Sequence, residues 1–117
     1  MENRSLELAA ARKLFFRFNN AVEILATHSG VINYRVNCAY FTGLNAIKTK
    51  DFQLDELKEI ANKFTLLKEK VERDTDGWDQ NKAYPLAKID EHRALGYASD
   101  IFEIYQDLIE IIKEPKD

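Results

Sequence analysis

The chain has 117 residues, 45% of them hydrophobic and 11% aromatic, with 17 basic and 20 acidic side chains and a net charge of −3. That length holds one ordinary domain and excludes two, and the apolar share excludes global disorder. Four glycines and two prolines are too few for a β-rich chain that turns often, so the expectation is all-α.

Leu8, Ala11, Phe15, Phe18, Val22 and Leu25 recur at spacings of three and four, which predicts a first helix over 5–28. Leu14, Ala21 and Ile24 widen its apolar stripe towards a second neighbour. His28, Ser29 and Gly30 follow as a stop, since glycine takes the left-handed conformation that ends helices.

A second helix is expected over 31–48, so the two form a tight hairpin. Between Ser29 and Ile47 the only ionised residue is Arg35. A helix without a charged face is wrapped by its own protein or by a partner. Asn33, Arg35, Asn37, Thr42 and Asn45 recur along it, which argues against a membrane span. Ile32, Val36, Ala39, Gly43 and Ile47 make one side, and Asn33, Asn37, Tyr40 and Leu44 make a polar but uncharged face. That face is expected either to bond to neighbouring loops or to form a wet binding surface, including a homodimer seam. Cys38 stands alone in this run, so no internal disulfide forms. With no signal-peptide pattern at the start, the expected compartment is the cytoplasm.

Asp51 is expected to cap a third helix over 51–74, with Asp55 and Glu56 in its first turn and Leu57, Ile60, Phe64, Leu67 and Val71 as its stripe. Residues 75–84 have no periodicity and hold the only tryptophan, Trp78, which either closes the bundle end or anchors a partner. The fourth helix is expected over 85–114, beginning at Pro85 or, after a break, at Asp90, and bent or broken near 90–96 where Gly96 lies. One of its stripes is Ala94, Tyr97, Ile101, Ile104, Leu108 and Ile111; a second is Ala98, Phe102, Tyr105, Ile109 and Ile112. The sum is an antiparallel four-helix bundle spanning 1–117 as one domain.

Chemistry is poorly supplied. No Glu-x-x-His pair, no Gly-x-Ser-x-Gly elbow and no Gly-rich phosphate loop occurs, and His28 and His92 are the only histidines. No cofactor or metal is expected. Asp100, Glu103, Asp107, Glu110 and Glu114 step by three and four along the fourth helix as one acidic strip. Such a strip is a solvated flank, a docking site for a basic partner, or the metal cluster of an all-α Mg²⁺-dependent nucleotide pyrophosphohydrolase, with Glu56 and Glu59 as further acids. Residues 1–50 carry seven basic and three acidic residues, against ten and seventeen in 51–117. Arg4, Arg12, Lys13, Arg17 and Arg35 therefore give a small phosphate-binding patch and an alternative role as an RNA-associated subunit. The reading that follows is a non-catalytic protein that binds a macromolecule, such as an adaptor, an inhibitor, an immunity-type protein or an assembly subunit. Its contacts are the uncharged helix 2 face, Trp78, and the acids Asp100, Glu103, Asp107 and Glu110.

Overall fold

The structure, a computed structural model, describes residues 2–52, 55–76, 85–86 and 89–113, with side chains of the first helix from residue 8 onward. Trp78 and Glu114 lie outside the described residues. Four α-helices follow in order: α1 (Glu2–Thr27), α2 (Ile32–Phe41), α3 (Lys58–Asp74) and α4 (Glu91–Lys113). The fold is an all-α bundle. No described helix is long and apolar enough to cross a membrane.

The three-four spacing of α1 places Ala11, Leu14, Phe18 and Ala21 in the core, each at most 2% exposed. Phe18 meets Phe64 of α3 edge to face at 6.0 Å, a geometry favoured by the ring quadrupoles. Every apolar residue of the main α3 stripe, Ile60, Phe64, Leu67 and Val71, is buried, as are Tyr97, Ile101, Ile104 and Leu108 of α4. These residues form one core.

Gly30 has φ +107°, which ends α1 and reverses the chain. Arg35 fixes the turn: its Nε donates to the Gly30 carbonyl at 3.1 Å and its Nη1 to the Leu25 carbonyl at 3.0 Å. The single charge of the 29–47 segment thus satisfies a carbonyl left open at a helix end. At the far end of the hairpin, Arg17 Nη1 donates to the Gly43 carbonyl at 3.0 Å, so α1 and α2 are antiparallel.

Three expected boundaries are corrected. Helix 2 stops at Phe41 rather than 48, because Gly43 adopts φ −161°, ψ −31°, outside helical geometry. Short 3₁₀ turns at Leu44–Ala46, Thr49–Phe52 and Asp55–Leu57 then lead to α3, which begins at Lys58 rather than 51. Asp51 does not cap α3; its Oδ2 accepts from the Lys48 backbone N–H at 2.8 Å and closes the preceding turn. Helix 4 starts at Glu91, not Pro85, with the Asp90 carboxylate accepting from the His92 N–H at 3.2 Å. From there it runs through Gly96 without a break.

Candidate interaction surface

The uncharged face of α2 points inward. Asn33, Asn37, Tyr40 and Leu44 are all buried, and the covering comes from residues just before α4. Asn37 Oδ1 accepts from the Leu86 N–H at 3.0 Å, and Asn33 Nδ2 donates to the Ile89 carbonyl. Leu86 itself is fully buried. A stretch of chain outside regular structure must pair its backbone groups, and an amide side chain offers both a donor and an acceptor for this. Burial, and then the Glu72 carboxylate, push the Tyr40 phenol up to about 12. Of the two expectations for this face, bonding to a neighbouring stretch of chain is the one seen, at Asn33 and Asn37, and as contact-surface residues Asn33, Asn37, Tyr40 and Leu44 are corrected to the interior.

The acidic strip is largely paired. Lys63 of α3 reaches both Glu103 Oε2 and Asp107 Oδ2 at 2.7 Å, and its ammonium is raised chiefly by the Asp107 and Glu103 hydrogen bonds. Asp100 lies 3.8 Å from Lys70, and Glu110 lies 3.3 Å from Lys113. Burial raises the Asp100 carboxyl, Lys70 opposes the shift, and Glu103 adds to it. The α3 partners run backwards relative to α4, which makes these two helices antiparallel. Solvent screening keeps such exposed pairs weak, yet it leaves α4 with less free charge than its sequence suggests.

A cleft of about 470 Å³ opens between the end of α3 and the start of α4. Its acids are engaged. Asp74, with a side chain only 9% exposed, accepts from Arg93 Nη1 at 2.7 Å and from the Tyr97 hydroxyl. Burial and that carboxylate raise the Tyr97 phenol. Asp90 caps α4 and Asp100 faces Lys70. Among the described residues, no three His, Cys, Asp or Glu side chains come together to hold a metal. Glu56 and Glu59 are exposed, away from such a grouping. The cleft ties the two helices together through Asp74, Arg93 and Tyr97.

The basic patch is also partly consumed. Arg12 and Lys13 are exposed, but Arg17 and Arg35 donate to backbone carbonyls, and the side chain of Arg4 lies outside the described residues. Asp51 shares a cavity with Lys13 and Arg17, which dilutes its positive charge.

A different surface emerges on α1 and α4. Four rings form a row: Phe16 to Phe15 at 5.8 Å, Phe15 stacked on Tyr105 at 5.5 Å, and Tyr105 to Phe102 at 6.1 Å. Tyr105 and Asn19 share a hydrogen bond of 3.1 Å across the helix pair. Phe16 is 65% exposed, Leu95 52% and Phe102 46%. Leu95, Ala98, Phe102, Tyr105, Ile109 and Ile112 repeat at three and four, so they share one side of α4. Ser99 and Gln106 lie beside them on the solvent side, Glu110 stands at its edge as far round from Phe102 as Ile112 does on the other, and no charged residue falls within about 60° of Phe102 between Leu95 and Ile109. The second stripe of the fourth helix was the signal in the sequence. Periodicity alone did not tell which of two adjacent stripes would face the core.

Comparison with protein-family models, with curated proteins and with solved structures finds no match for this chain.

Proposed function

We propose that this chain is a non-catalytic helical module that binds another protein through the uncharged outer side of α4 and the aromatic row leading from it to α1. The observation that carries this reading is the exposure of Phe102 and Leu95 on a side of α4 whose central strip has no charge for about four turns. Contiguous apolar surface of this kind marks an interaction site, and exposed aromatic rings are efficient anchors because they lose little conformational freedom. Ion pairing of the α4 acids and the helix-end roles of Arg17 and Arg35 leave the basic-partner and RNA readings with less support.

A capture experiment in extract from the source cells tests it. Wild type is compared with Leu95→Glu and Phe102→Glu, and with Leu66→Glu as a control, because Leu66 is exposed on the charged α3 side. Loss of bound protein by about tenfold or more in the two α4 variants, with Leu66→Glu unchanged, is expected. Equal capture by all four proteins refutes the reading.

A further inference from the structure

Resting on the reading that the outer side of α4 binds protein, we infer that its occupant is a second copy of this chain, docked α4 against α4, antiparallel, about a two-fold axis at Phe102. A two-fold interface must be complementary to itself, each residue meeting its counterpart's partner in both directions. The outer side of α4 satisfies that condition along its whole length. Glu91, Leu95, Phe102, Ile109 and Lys113 follow at steps of four, seven, seven and four, a spacing that reads the same from either end. Reversing the helix about Phe102 sets Leu95 against Ile109 of the second copy, Ser99 against Tyr105, and Phe102 against itself. The same reversal sets Glu91 against Lys113, at both ends of the seam.

Charge supports this occupant over others. The only ionised residues on the central strip of the side are Glu91 and Lys113, both exposed and opposite in sign, at the two ends, with Glu110 at its edge. Lys113 lies 3.3 Å from Glu110 within its own helix, an exposed pair that solvent lets exchange readily. A parallel pairing would set Glu91 against Glu91 and Lys113 against Lys113, so like charges exclude it. The three-four repeat from Leu95 to Ile112 is the spacing of a two-helix seam. A nucleic acid would find a single cation on this side, Lys113 at its end, and a strongly charged protein no counter-charge except at the ends.

Size fixes the strength. A 23-residue helix is about 34 Å long and about 11 Å wide, a footprint of about 370 Å² per copy. Stable interfaces start at about 500 Å² per partner, so the expected dimer is reversible and of micromolar affinity.

Sedimentation equilibrium on the full chain reads the association directly. Wild type should dimerise below about 100 µM, and Phe102→Glu should weaken it by about a hundredfold or more while its helical signal and melting stay unchanged. At low salt, Glu91→Lys and Lys113→Glu should each weaken the dimer several-fold, and the double exchange should restore it. In a Cys38→Ser background, Phe102→Cys should oxidise to a disulfide dimer, whereas Asp100→Cys, on the α3 side, should not. A monomer at all these concentrations, a dimer indifferent to Phe102→Glu, or a charge exchange without restoration overturns the inference. If the chain is monomeric yet Phe102→Glu still abolishes capture of a different protein, the antiparallel pair is wrong and the binding role of α4 stands. If capture is also unaffected, both are wrong.

Discussion

Replacing Asn37 by alanine isolates the device that hides the uncharged face of α2. Its Oδ1 accepts the Leu86 N–H at 3.0 Å, with Asn37 6% exposed and Leu86 fully buried. In Asn37→Ala that N–H loses its acceptor in a site shielded from water, which costs about 1–3 kcal/mol. Unfolding entropy near 2.1 cal/mol/K per residue gives about 0.25 kcal/mol/K for 117 residues, so the midpoint should fall by about 4–12 °C. Thermal unfolding followed by circular dichroism measures this, with Asn45→Ala as the control. Asn45 is an exposed asparagine of the same segment, and its loss should move the midpoint by less than about 2 °C. Equal shifts for the two variants would refute the claim that the backbone at Leu86 and Ile89 is held down by α2 amides. A Leu86→Ala variant should destabilise further, because it removes a fully buried side chain, by about 2–5 kcal/mol.

Arg35→Ala should loosen the α1–α2 turn by about 1–2 kcal/mol, since it removes donors to the Leu25 and Gly30 carbonyls. Amide exchange at His28, whose N–H bonds to the Ile24 carbonyl at 2.9 Å, should speed up, and Arg35→Lys should recover only part of the protection because an ammonium lacks the guanidinium fork. Slow exchange at His28 in both variants would show that Gly30 alone holds the turn. Alkaline stability should report Tyr40. Its folded value of about 12 exceeds the ordinary 10.0, so the unfolded phenol ionises first; its contribution is complete below pH 10 and is lost as pH rises towards 12. Two units correspond to about 2–3 kcal/mol, so melting of Tyr40→Phe should fall less steeply than wild type over that range. Parallel curves would mean that the phenol is not buried. Tyr97, also raised, acts in the same direction in both proteins.

Helix content was legible because the stripes of α1, α3 and α4 are long and regular, although only the α3 stripe is buried throughout; α1 turns Ala11, Leu14, Phe18 and Ala21 inward and leaves Leu8, Phe15, Val22 and Leu25 half-buried. The end of α2 was not. Gly43 and Ile47 read as the continuation of the Ile32, Val36 and Ala39 side, whereas Gly43 is where the helix has already stopped and where its carbonyl meets Arg17. That contact joins residues 26 apart, so no local pattern reports it. Asp51 shows the same limit at shorter range. A carboxylate before an amphipathic run caps a helix, but here the Lys48 N–H, three residues back, takes it first. The acids of α4 were correctly placed on one strip, and only the antiparallel register against α3 shows that Lys63 stands between two of them.

Two uncharged helix faces are visible in this sequence, and composition cannot rank them. The α2 face carries amides, which can bond to irregular backbone; the α4 face carries Leu95, Phe102 and Ile109, which cannot. Irregular backbone such as that at Leu86 and Ile89 is therefore stable over Asn33 and Asn37, where an N–H and a C=O find partners, and would leave them unpaired over Phe102. A helix has no such need, because its backbone groups are already bonded within it, so helical surface is the suitable cover for the α4 side. The amide content of a charge-free face thus indicates what covers it: asparagines call for the chain's own loop, and a bare apolar heptad calls for another helix.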